Sequence, residues 1–301
     1  MPAISAVPAR ALGLLVVLTL LWGTNWPLFA LAVSEVSVWT FRAIAVPASG
    51  LAMLAFARMR GMSLTVPRRD WPRLVAAAVT YLVTWNIATT YAAVMIPSGQ
   101  SAILSYTMPL WAALLARVFL GETLSTRLIL ALVLGAGAVG LLMVPGLKAY
   151  AQAPAGFALG LAAGLGWAIG TLIIKRHEWS TPVLVLTGWQ MLVTALPIMG
   201  GALVLGDYQW FMPSWRSILV IAYITFIPMT IGNYCWFLIV GLLPANVAGL
   251  SAILVPVVAM ISGAIMHREP LGLLQVSAMV LCAGSMSLAL LKPAARNNAI
   301  R

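Results

Sequence analysis

The chain predicts an all-α polytopic membrane protein, with ten transmembrane helices arranged as two inverted five-helix repeats. Three observations predict it. Of 301 residues, 62% are hydrophobic and 8% are charged, against roughly 25% charged in a soluble domain. The apolar residues gather into runs of about 20, the length that crosses a bilayer core. The second half of the chain also repeats features of the first at a constant offset.

Breaking the sequence at charges, Pro and polar pairs places the spans at roughly 10–31, 36–57, 72–93, 98–120 and 127–144, then 154–175, 182–204, 217–239, 245–267 and 271–291. The gaps are too short to hold a soluble domain. The first run, from Ala11 to Val33, ends without a small-x-small site, so it reads as a retained span rather than a signal peptide.

Orientation follows from the basic residues. One set of gaps and ends holds Arg10, Arg58, Arg60, Arg68, Arg69, Arg73, Arg117, Arg127, Lys175, Arg176, Lys292, Arg296 and Arg301, thirteen in all. The opposite set holds Lys148, Arg216 and Arg268, and Arg42 lies inside a span. This asymmetry predicts that both termini are cytoplasmic. A net charge of +11 would suit nucleic acid if it covered a wetted face, but here it is scattered through short gaps, so a lipid bilayer is expected and nucleic acid is not. Cys235 and Cys282 lie in apolar runs with no metal-ligand spacing, so no disulfide, metal or cofactor is expected.

The repeat has an offset of 147 residues. Asn86, Pro97, Pro109, Ala112, Glu122 and Leu124 recur as Asn233, Pro244, Pro256, Ala259, Glu269 and Leu271, and the register continues ungapped from Ala131/Ala278 to Leu141/Leu288. The Asn, two Pro and Glu carry the signal, because apolar helices share Ala, Leu and Val by chance. Two units follow, 1–147 and 148–301. Five spans per unit is an odd number, so the second unit enters from the opposite face. Inverted repeats of this kind place substrate near the midplane, at the repeat interface.

The stretches TMPLWAALLARVFLGETL (ending at Leu124), LVPVVAMISGAIMHREPL (ending at Leu271) and WGTNW (Trp22–Trp26) resemble the drug/metabolite transporter superfamily, EamA-like group. Arg42 falls where many members carry an Arg in the second helix, and Arg268 stands where a Gly is usual. The Trp-rich character is similar to that of the YddG-type aromatic amino-acid exporters. The resemblance implies a ten-helix exporter of small metabolites in a bacterial inner membrane, working by alternating access. It leaves the turn at Arg268 open.

Candidate substrate-binding residues are Trp22, Asn25, Arg42, Tyr81, Trp85, Asn86, Tyr106, Trp167 and Asn233. Deep Trp and Tyr need a partner or a wet cavity for their polar tips, and Trp111 and Tyr223 share that depth. The alternative for each is lipid contact or core packing. Arg42 either attracts a substrate carboxylate or snorkels outward near Glu35. Asn86 and Asn233 lie off-centre, either capping opposite ends of a cavity or bonding neighbouring helices. Pro109 and Pro256 are candidate hinges, because a mid-helix Pro removes a backbone bond. Gly156, Gly160 and Gly164 predict close helix packing.

A small-molecule exporter of amino acids or related metabolites accounts for these features. A carrier of nucleotide sugars or lipid-linked substrates would want more cationic residues in its cavity. An intramembrane enzyme would need a polar catalytic cluster, and a channel would show a filter or rings of charge. A monomer is expected, with a dimer as the alternative. With all six acids in or beside loops, the expected transport is downhill, with coupling through Glu35 or His267 as the alternative.

Overall fold

The computed structural model describes residues 8–96, 98–205, 213–268 and 271–290. Among them every regular element is helical. In a lipid solvent this is forced, because a helix satisfies its own backbone donors and acceptors while an open strand does not.

Ten helical runs follow in chain order, α1 Ala9–Glu35, α2 Val38–Met59, α3 71–95, α4 98–119, α5 Thr126–Gln152, α6 Pro154–Arg176, α7 Val183–Leu205, α8 Trp215–Leu242, α9 245–267 and α10 Leu273–Leu290. Seven stretches among the described residues are long and apolar enough to cross a membrane, in α2 and α4 to α9. Their outward faces carry large apolar side chains such as Leu196, Val204 and Ile265. That makes a multi-pass membrane protein.

Several starts are capped by hydroxyls. Ser37, Ser125 and Ser214 accept hydrogen bonds from the amides of Thr40, Leu128 and Ser217 at 3.1, 3.2 and 3.3 Å, each satisfying one of the donors a helix start leaves free.

Four of the runs carry interruptions that keep the 147-residue register. α3 widens into a π-helix at Ala78–Val83, and α8 does so at Thr225–Gly232. α4 breaks at 106–107 before Met108, and α9 tightens into a 3₁₀ turn at Ala252–Leu254 before Val255. Pro109 and Pro256 therefore do not kink the middle of a helix. Each is the second residue of a new helix, where its missing N–H removes no intrahelical bond. The break is one turn earlier than the sequence suggested. The boundary expected after residue 147 falls at the start of the last helical piece of α5, Leu147–Gln152.

Packing crosses between the two halves. α2 lies along α7, α5 along α10, α6 against α3 and α4, and α1 against α8 and α9. The α6 contact depends on the predicted glycines. A Cβ at Gly156 would lie 2.9 Å from Met95, at Gly160 2.7 Å from Leu104, and at Gly164 2.8 Å from the Ser105 carbonyl.

One expectation, for Tyr223, is corrected, while the Trp111 indole has the partner its depth requires. Tyr223 is 37% exposed on the outside of α8, not deep in the bundle. Trp111 is half-buried and donates to Thr107 Oγ1 at 3.2 Å. Asp207, Trp210, Glu269, Lys292, Arg296 and Arg301, with the side chains of Trp26 and His267, lie outside what the structure describes.

Candidate functional site

All nine residues proposed from sequence line one cavity of about 150 Å³. α1 supplies Trp22 and Asn25, α2 supplies Arg42, and α3 supplies Tyr81, Trp85 and Asn86. α4 supplies Tyr106, α6 Trp167 and α8 Asn233. Pro109 and Pro256 are not on its wall. The sequence reading missed Thr89, Met191, Pro228 and Met229, which also line it. Thr89 alone carried a signal, because it stands three residues after Asn86 on the same helix face.

Arg42 points inward. It is 8% exposed, and Nη1 donates to Asn86 Oδ1 while Nη2 donates to Thr89 Oγ1 at 3.0 Å. Both acceptors are anchored in turn. Asn86 Nδ2 donates to Leu82 O at 2.7 Å, and Thr89 Oγ1 donates to Trp85 O at 2.6 Å. α3 thus presents two oxygens in fixed positions, and the guanidinium is held at the wall rather than extended to the membrane surface. Among the described residues, no carboxylate lines the cavity.

Asn233 donates to Met229 O at 2.7 Å, the same i−4 bond, at the same repeat position, as Asn86 to Leu82. Both amides line the one cavity.

The floor is aromatic, and Trp167 is its hub, 1% exposed. Its ring stacks on Tyr81 at 5.6 Å and 6°, and meets Trp22, Trp85, Tyr106 and Trp236 edge-on at 5.0–6.1 Å. Trp22 Nε1 donates to Pro228 O at 3.1 Å, on the π-helical stretch of α8. Trp167 Nε1 and Asn25 Oδ1 are buried with no hydrogen-bond partner among the described residues. A buried polar group left in that condition costs about 1–3 kcal/mol, and a bound ligand is one way to relieve it. From this floor the cavity extends toward the end of the bundle where α1 ends and α2 begins, as Val38 on its wall shows.

The acids serve helix ends. Glu122 accepts from the Ala245 and Asn246 amides at 2.9 and 3.3 Å, closing the start of α9. Glu35 accepts from the Ser214 amide and hydroxyl at 2.7 and 3.0 Å, joining the end of α1 to the start of α8. The Ser214 amide, with the Ser217 and Ser214 hydroxyls, holds the Glu35 carboxyl below its ordinary 4.5. Asp70, buried, faces His177 Nε2 at 2.9 Å. That pair links the start of α3 to the end of α6, 107 residues apart.

The profile of the EamA-like transporter family matches residues 9–144 and again 154–291. This chain belongs to the EamA-like transporter family. It is therefore a transporter, and its substrate is a small molecule. The uncharacterized transporter YvbV of Bacillus subtilis is 22% identical, with 91% of this chain and 90% of that one aligned. The uncharacterized inner membrane transporter YedA of Escherichia coli K12 is 26% identical over 86% and 83% of the two chains. A probable amino-acid metabolite efflux pump of Escherichia coli K12 is 28% identical over 60% of this chain and 62% of that one. A solved crystal structure shares the fold with a TM-score of 0.81 at 20% identity, covering 94% of this chain and 98% of the other. For this EamA-like chain, the matched segments bracket the short helix Leu147–Gln152 and fall one in each half.

Proposed function

We propose that the protein is a downhill exporter of amino acids with aromatic or large apolar side chains, acting by alternating access across a bacterial inner membrane. The observation that carries this reading is the composition of the cavity wall. A fixed guanidinium, an amide oxygen without a partner among the described residues and a cage of indole and phenol rings meet in one space. A carboxylate is the natural partner of Arg42. Asn25 Oδ1 accepts from the ammonium, Trp167 Nε1 donates to a carboxylate oxygen, and the rings enclose the side chain. Asn86 and Thr89 are positioning residues that aim Arg42.

Ten crossings in two inverted halves, with both termini cytoplasmic, form the frame of this reading. The shared register of the π-helical stretches and helix breaks supports it, as does the thirteen-to-three distribution of basic residues. In that frame the cavity faces outward, and the breaks before Pro109 and Pro256 are the flexing points. The relative named as an amino-acid metabolite efflux pump and the likeness to YddG-type exporters favour the same substrate class.

The test is counterflow in proteoliposomes across the twenty amino acids. Exchange is expected for Trp, Phe, Tyr and Leu, with at least a tenfold loss in Arg42→Met at matched expression. No counterflow with any amino acid would overturn the substrate class. Concentrative uptake under an imposed pH gradient, collapsing with a protonophore, would overturn the downhill mechanism.

A further inference from the structure

A second cavity, between α6, α7 and the end of α8, has no part in the mechanism above. It holds about 240 Å³ and shares no lining residue with the central one. Lys175 stands in its wall, with Nζ 3.4 Å from Gly241 O, a long contact, and the Glu122 carboxylate acts on it from the start of α9. Gln190 Oε1 and Thr181 Oγ1, both on its wall, are buried without a hydrogen-bond partner among the described residues. The Gln190 amide nitrogen reaches Leu186 O only at 3.5 Å, so the whole amide is loosely committed. His177, also in the wall, is engaged by Asp70 at 2.9 Å, where Arg69 approaches at 3.7 Å. The rest of the lining is largely apolar, with Phe237 at one side.

The set repeats the chemistry of the central cavity. A cation, an amide oxygen without a partner among the described residues and an aromatic wall occur in each, with Lys175, Gln190 and Phe237 in the places of Arg42, Asn25 and the indole cage. A ring contact joins the walls of the two cavities. Tyr81 on the central wall meets Phe237 edge-on at 6.0 Å, and the neighbours Met191 and Gln190 line the central and second cavities respectively.

We infer that the second cavity is another binding site for a zwitterionic amino acid with an apolar side chain. Lys175 takes the carboxylate. Gln190 Oε1 takes the ammonium after a rotation of its amide, and Phe237 and Leu186 take the side chain. The site lies at the bundle end where α6 finishes and α7 begins, one aromatic layer from the central cavity, and loads the carrier from that side. This inference rests on the amino-acid reading of the central cavity.

Equilibrium binding of tritiated tryptophan and leucine to the full chain in nanodiscs separates the two readings. Two molecules per wild-type chain are expected. Gln190→Leu and Lys175→Gln should each weaken one of them at least tenfold, and Arg42→Met should weaken the other. Gln190→Leu removes an amide whose oxygen has no partner among the described residues and whose nitrogen is held only at 3.5 Å, so its melting temperature should hold or rise, and loss of folding does not mimic loss of binding. A single site lost in Arg42→Met and untouched in Gln190→Leu means that water alone fills the second cavity, which overturns this inference and leaves the central reading standing. No binding of either probe to the wild-type chain overturns both.

Discussion

Replacing Trp167 by Phe separates the two jobs assigned to that side chain. The phenyl ring keeps a flat aromatic surface against Tyr81, Trp22, Trp85, Tyr106 and Trp236, while the indole N–H is lost. Removing a buried donor that has no partner among the described residues returns about 1–3 kcal/mol of stability. The smaller ring leaves a gap, and a partial truncation of this kind costs about 1–2 kcal/mol, well below the 3–5 of a Trp to Ala change. The two effects offset, so the melting temperature in detergent should stay within a few degrees, whereas Trp167→Ala should lower it clearly. Ligand affinity should behave differently. A hydrogen bond to a charged acceptor is worth about 1.5–3 kcal/mol, which is roughly a 10- to 150-fold rise in Kd. Thermal unfolding and binding of labelled tryptophan, measured on one preparation, decide it. A Kd in Trp167→Phe equal to wild type would refute the donor role. A steep fall in melting temperature would show that the N–H is already satisfied in the folded protein.

Three further outcomes follow from the helix ends. Glu122→Gln keeps one acceptor for the start of α9 but loses the charge and the second bond, so stability should fall by about 1–2 kcal/mol; amide exchange over residues 245–250 should quicken, and unchanged protection would refute the capping role. Arg268 adopts φ 55°, the left-handed conformation that Gly121 adopts at the matching repeat position with φ 67°. Arg268→Gly relieves about 1–2 kcal/mol of strain and gives part of it back as chain entropy, so thermal unfolding should show a net gain of about 0.5–1 kcal/mol; a lower melting temperature would count against it. The Glu35 carboxyl titrates below 4.5 in the folded protein. Its contribution is therefore full above 4.5 and is lost as pH falls through the lower folded value. Melting curves across that acid range should show a decline that Glu35→Gln flattens, and identical profiles would remove the link to Ser214.

The cavity was legible in the sequence because lipid makes its residues conspicuous. Arg42, Asn86, Trp85 and Trp167 bury polar atoms in largely apolar spans, and that cost confines them to a wet interior or a partner. Depth along a helix can be read this way, but direction around it cannot. Tyr223 and Tyr81 look equally deep, yet one faces outward and the other floors the cavity. The register of the helix breaks was readable from Pro109 and Pro256, although the break precedes each Pro. The π-helical stretches were not. Ala78–Val83 is ordinary helix sequence, and its neighbours press on it closely, a Cβ at Gly170 lying 2.5 Å from that of Tyr81. Asp70 and His177 read as separate loop residues because nothing local announces a contact across 107 positions.

The side chains around the central cavity also bear on how transport responds to acidity. Its wall offers Arg, Tyr, Trp, Asn, Thr and Ser as polar groups, and among the described residues no Asp, Glu, His or Lys. None of those types ordinarily gains or loses a proton between about pH 5 and 9. The electric field that greets an arriving molecule is then constant across the whole physiological range. A slope in a rate-versus-pH curve there points to the cargo's own ionisation or to groups away from this wall.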